Sequence, residues 1–184
     1  NGFLLINNFV DKNTVKKLKK IKTNLVKGKY KTQITPDKVK KEKNKPIQLC
    51  NVWKSDYNFA RLVLSKKIAE VALQLTKWYG VRLNQDSLFY VPPRTGGVTM
   101  HQDEVYQDWH IPGKIITAWI ALTDMNKNNS SIKYMPGSHK WKKNHKPLKT
   151  FFKGKNFMES LTKFKKSTIQ VILLNQKKFL MQTP

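Results

Sequence analysis

The spacing of apolar positions changes character along the chain. Residues 2–10 (GFLLINNFV) form a short apolar run that reads as a strand or strand-turn. Asp11 is placed to cap a helix on which Val15, Leu18, Ile21 and Leu25 recur at helical spacing. Few other apolar residues flank that stripe. Lys16, Lys17, Lys19, Lys20 and Lys22 make a charged face, read first as solvated surface. Residues 27–46 are rich in lysine and poor in apolar side chains, which predicts a mobile loop. Apolar character resumes at Leu49, Val52 and Trp53. Asp56 is then positioned to start a second helix, with Phe59, Leu62, Val63, Ala69, Ala72, Leu75, Trp78 and Tyr79 on its buried face and Gly80 as its stop.

From residue 86 the pattern becomes that of strands. Residues 87–91 end at Pro92-Pro93, and a loop through Gly96-Gly97 leads to residues 98–103. Residues 114–123 (KIITAWIALT) are apolar on both faces, as in a strand enclosed within a sandwich or barrel. A polar turn over 124–131 precedes a short strand at 132–135, closed by Pro136-Gly137, and residues 168–174 (TIQVILL) give a late strand. No internal repeat is visible. Helices followed by strands predict an α+β fold with a mainly β core. One domain is expected over residues 1–184, with an N-terminal strand and helices in 1–80 and the β core in 86–184.

Composition narrows the class. A chain of 184 residues can bury about 70% of its unfolded surface, and an aromatic content of 11% argues against disorder. No apolar stretch approaches the roughly 20 residues that span a bilayer, and the N-terminus lacks the apolar run of a secretory signal. The single cysteine, Cys50, leaves no internal disulfide framework and no thiolate cluster; it reads as an inert apolar residue. A cytoplasmic setting is therefore expected.

The net charge of +25 suggests nucleic acid as a partner, but two features weaken that reading. Arg61, Arg82 and Arg94 are the only arginines among 36 basic residues, whereas bidentate phosphate and guanine contacts favour arginine. The charge is also uneven. Residues 86–139 hold Arg94, Lys114, Lys127 and Lys133 against Asp86, Asp103, Glu104, Asp108 and Asp124, a net of −1, which leaves +26 for the rest. No specific nucleic-acid partner is expected.

The near-neutral segment contains His101-Gln102-Asp103. On a strand, residues i and i+2 share a face with Cα atoms about 6–7 Å apart, close enough for imidazole and carboxylate to share one ion. This is the adjacent pair of a two-histidine-one-carboxylate facial triad, which holds non-haem Fe(II) with open positions. A surface histidine beside an acid would give the same triplet, so the neighbourhood decides.

That neighbourhood, SLFYVPPRTGGVTMHQDEVYQDWHIPGKIITAWIALTDMNKNNSSIKYMPGSHKW, resembles the phytanoyl-CoA dioxygenase family of Fe(II)/2-oxoglutarate oxygenases. The resemblance rests on the proline-ended strand, HQD followed by YQDW, TAWIALTD, the NKNN turn and PGSHKW, with GFLLINNF similar to the family's first strand. It implies a double-stranded β-helix, a cupin-like jelly roll, with N-terminal helices outside and the C-terminal strands incomplete. His101 and Asp103 match two iron ligands. Trp119 matches an aromatic residue of the 2-oxoglutarate pocket, which Gln102, Ser87 and Phe89 are also placed to line. Tyr106 and Trp109 fit either a substrate-facing lip or packing, His139 reads as a turn residue, and His110 and His145 as exposed loop residues.

The implied reaction couples oxidative decarboxylation of 2-oxoglutarate to oxidation of a small-molecule or acyl substrate by O₂. Asp103 favours hydroxylation, because halogenating relatives carry a small residue there. The family also needs a distal histidine and a basic residue for the far carboxylate of 2-oxoglutarate. No histidine follows His145 and no arginine follows Arg94. The expectation is thus a chain that stops before its third ligand and is inactive or metal-poor as it stands. The alternative is a non-catalytic polybasic binding protein on an oxygenase fold.

Overall fold

A computed structural model describes residues 1–95, 98, 101–103, 111, 113–126, 129, 131–140, 172–173 and 178–182. Strand β1 (Phe3–Asn7) is followed by helix α1 (Lys12–Val26), strands β2 (Lys38–Lys40) and β3 (Ile47–Cys50), and helices α2 (Tyr57–Val63) and α3 (Lys66–Thr76). Strands β4 (Ser87–Tyr90), β5 (Thr117–Ile120), β6 (Lys133–Tyr134), β7 (Ile172–Leu173) and β8 (Lys178–Gln182) complete the described elements.

Two cores organise these elements. In the first, α1 and α2 pack on an antiparallel sheet of order β2-β3-β4. Leu18 and Leu25 of α1 meet Ile47, Leu49, Val52, Phe59 and Leu88, with Ile21 at the margin. The Asp11 carboxylate accepts from Thr14 N at 2.9 Å, so the cap starts α1 where the apolar stripe begins. In the second core, α3 lies against the sheet β1-β8-β5. Phe9 and Ala72 are buried there, packed by Ile6, Ile68, Val71, Leu75, Ile116, Ala118 and Ile120.

Several elements differ from the sequence expectation. The lysine-rich stretch supplies β2, an edge strand whose Val39 stays 49% exposed. Its register with β3, Val39 opposite Leu49, shows that backbone pairing, not burial, recruits it. The single long helix expected after Asp56 is two. The break falls at Leu64 and Ser65, where Ser65 adopts the extended conformation of an N-cap. Helix α3 ends at Lys77 in the left-handed region (φ 58°), before Gly80, so Trp78 and Tyr79 leave the helix and Tyr79 is fully exposed.

The strand expected over 114–123 is confined to Thr117–Ile120, and that over 132–135 to Lys133–Tyr134. Tail strand β8 holds the central place in its sheet, antiparallel to both β1 and β5. Leu180 sits opposite both Leu5 and Trp119. Two segments far apart in sequence are thus joined through the tail.

Candidate metal centre

The faces of β5 are assigned by what each touches. Ile116, Ala118 and Ile120 pack toward α3. The alternate positions Thr117 and Trp119 therefore face the other side of the sheet. On that side the Thr117 hydroxyl donates to Asp103 Oδ2 at 2.8 Å. Trp119 shares the face that reaches Asp103.

His101 and Asp103 come together without a strand between them. Residues 101 and 102 lie outside regular structure and Asp103 sits in a 3₁₀ turn. Side-chain contacts, not the pleat assumed from the sequence, produce the convergence. His101 Nε2 stands 3.1 Å from Asp103 Oδ1, and the two side chains are 23% and 30% exposed, open enough for a small ion to reach. Two donors about 2.2 Å from one centre and at right angles to each other lie about 3.1 Å apart. The separation and the nitrogen-plus-carboxylate donor set both suit adjacent positions on a divalent transition metal. Among the described residues, no group of three or more His, Cys, Asp and Glu side chains is assembled for a metal.

Electrostatics keep Asp103 anionic. Burial pushes its pKa up, but the hydrogen bond and charge of His101 and the Thr117 hydroxyl outweigh that effect and hold it below the ordinary carboxylate value. Tyr134 lies close enough for burial and the Asp103 charge to raise its pKa, so its phenol stays neutral. Its ring stacks on Phe3 of β1, with centroids 5.4 Å apart. Thr117 and Tyr134 are site residues that sequence reasoning missed. The available signal was the position of Thr117 two residues before Trp119 on one strand face.

The other expected site residues are placed as follows. Gln102 is half-buried between the paired residues. On β4, Leu88 and Tyr90 turn into the first core, so Ser87 and Phe89 face the opposite side, both exposed. Ser87 Oγ is engaged by Gln48 at 3.2 Å and Gln85 at 3.1 Å and lies 3.8 Å from Cys50 Sγ, contacts that do not include the His101–Asp103 pair. His139 lies in the 3₁₀ turn Ser138–Lys140, with Nδ1 buried against Gly2. Tyr106, Trp109, His110 and His145 fall outside the described residues.

A converging imidazole and carboxylate, backed by a strand whose other face packs on α3, is a donor pair of the kind found in two-histidine-one-carboxylate metal sites. Residues 1–173 match the phytanoyl-CoA dioxygenase (PhyH) family, and the chain belongs to that family. Phytanoyl-CoA dioxygenase domain-containing protein 1 of Danio rerio is 31% identical over 81 residues. That match covers 44% of this chain and only 28% of the fish protein. Among solved structures, the non-haem alpha ketoglutarate dependent carbocyclase SnoK from nogalamycin biosynthesis superposes with a TM-score of 0.70 at 16% identity, over 99% of this chain and 70% of that one. HygX from Streptomyces hygroscopicus, solved with nickel, 2-oxoglutarate and hygromycin B bound, gives 0.60 at 14% identity, over 99% and 73%. At these identities the likeness is one of fold alone.

Proposed function

We propose that this chain forms the core of an Fe(II)- and 2-oxoglutarate-dependent oxygenase acting on a small-molecule or acyl substrate. Its carrying observation is the 3.1 Å approach of His101 Nε2 to Asp103 Oδ1 in a chain of the PhyH family. In this reading the described sheets belong to a double-stranded β-helix, with α1 to α3 packed outside it and residues 1–184 forming one domain. His101 and Asp103 hold the iron, while Trp119, Gln102, Ser87 and Phe89 line the approach of 2-oxoglutarate. Bound iron supplies the coupling of O₂ and 2-oxoglutarate to substrate oxidation, with succinate and CO₂ as co-products.

The protein's own contribution is positional and electrostatic. Asp103 offers a carboxylate already ionised at neutral pH. Tyr134, whose ring stacks on Phe3, lies near enough to feel the Asp103 charge. No helix among the described residues is long and apolar enough to cross a membrane. A cytoplasmic location is part of the same proposal.

Anaerobic Mn(II) titration and Fe(II)-dependent succinate formation test the reading. The protein should bind Mn(II), and Asp103→Ala should lose that binding; residues 1–184 alone should form little or no succinate, since no third ligand is assembled among the described residues. A protein that binds neither metal nor 2-oxoglutarate yet binds RNA in a salt-sensitive way would instead support the non-catalytic polybasic alternative.

A further inference from the structure

We propose that Thr117 is a positioning residue that restricts Asp103 to single-oxygen coordination. The proposal rests on the metal-binding reading above. A free carboxylate has two equivalent oxygens with about four lone pairs and can present both to one ion. Here the two oxygens have different partners: Oδ1 faces His101 Nε2 at 3.1 Å, and Oδ2 accepts from Thr117 Oγ1 at 2.8 Å. A metal shared with His101 would therefore meet Oδ1, the oxygen that Thr117 leaves uncommitted. Single-oxygen coordination matters because a second carboxylate oxygen on the metal would occupy a position required by a co-substrate or O₂.

Local structure makes Thr117 suited to this task. It is a β-branched residue on a strand, with restricted side-chain torsion. The positions flanking it, Ile116 and Ala118, are packed into the α3 core and fix the strand's rotation. Its hydroxyl is consequently aimed by the fold, not by the ligand. Partners of this kind, which hold a metal-binding side chain in one orientation, typically change metal affinity tenfold to a hundredfold when removed.

The test compares Mn(II) affinity, followed by electron paramagnetic resonance, in the wild-type protein and in Thr117→Val, Thr117→Ser and Thr117→Ala, with thermal melts of each. Thr117→Val keeps the branched shape but removes the donor; its Mn(II) affinity should fall about tenfold or more. Thr117→Ser keeps the donor and should stay within about threefold of wild type. Thr117→Ala should behave as Thr117→Val does, and stands in for it should the valine variant fail to fold. Equal affinity in the wild-type and valine proteins would overturn the proposal while leaving the metal site intact. So would equal weakening by serine and valine, since packing rather than the hydroxyl would then be responsible. Absence of Mn(II) binding in the wild-type protein would remove the metal reading itself, and the proposal with it.

Discussion

The imidazole of His139 occupies the space that a side chain at position 2 would need. A Cβ built on Gly2 would lie 2.6 Å from His139 Cγ and 2.9 Å from Cε1, and Gly2 also has a φ of +82°. The backbone adds a second tie, since Gly137 N donates to Asn1 O at 3.0 Å. The start of β1 is thereby locked to the turn that follows Tyr134, whose ring stacks on Phe3.

Gly2→Ala should therefore destabilise the fold by about 1–3 kcal/mol, from left-handed backbone strain plus the clash. Part of that cost should vanish in a His139→Ala background, where the space is open. A double-mutant cycle by denaturant unfolding measures the coupling, expected at about 1 kcal/mol. Strictly additive effects would show that the ring moves aside without cost.

Asp86 gives the fold a pH dependence of unusual sign. Its carboxylate accepts from Trp53 N at 3.3 Å, its own N–H donates to Asn51 Oδ1, and Asn51 N donates to its carbonyl oxygen. Burial pushes its pKa up to about 6, beyond what the Trp53 and Val52 N–H groups recover, and the nearby Asp37 charge adds to the rise. A carboxyl group with a raised folded pKa holds its proton longer in the folded than in the unfolded state. Its contribution therefore favours folding at low pH and is lost as pH rises from the unfolded value near 3.8 to about 6. The span corresponds to about 3 kcal/mol. Asp86→Asn should flatten the stability profile between pH 4 and 6 and raise stability at pH 8. Urea melts across that range check it, and an unchanged slope would contradict it.

What the sequence revealed and what it hid divide along a physical line. The Asp11 cap, the Val15–Leu18–Leu25 stripe and the strand at residues 87–90 were readable because their partners are local or their periodicity is strong. Strand β2 was not, because Val39 earns no burial and pairs only through a backbone supplied by β3. The helix break at Ser65 was masked by apolar residues on both sides of it. For the candidate site, the His101 and Asp103 pair was visible as a triplet. Its supports, Thr117 and Tyr134, arrive from 14 and 31 positions downstream of Asp103, and no local pattern announces them.

Asp56 should prove the most sensitive polar position outside the site. It is 3% exposed, and Oδ1 accepts from Asn58 N at 2.7 Å and Phe59 N at 3.4 Å. These bonds start α2, which carries Phe59 into the first core. Asp56→Ala should cost about 1–2 kcal/mol, the upper range for a helix cap. Asp56→Asn, which keeps an acceptor, should recover most of it. Equal losses in thermal melts would mean that the charge, not the cap, is what matters there.

Trp119 offers a test that separates co-substrate binding from metal binding. It shares a β5 face with Thr117, whose hydroxyl donates to Asp103, so in the proposed oxygenase the indole faces the side where 2-oxoglutarate would bind. Trp119→Phe retains an apolar ring and limits the packing loss. In the proposed oxygenase, the variant should bind Mn(II) within about threefold of wild type but 2-oxoglutarate about tenfold more weakly, a loss of about 1.4 kcal/mol. Calorimetric titration of 2-oxoglutarate into the Mn(II)-loaded protein provides the measurement. Unchanged 2-oxoglutarate affinity with a lowered melting temperature would assign Trp119 to packing alone and move the co-substrate pocket away from β5.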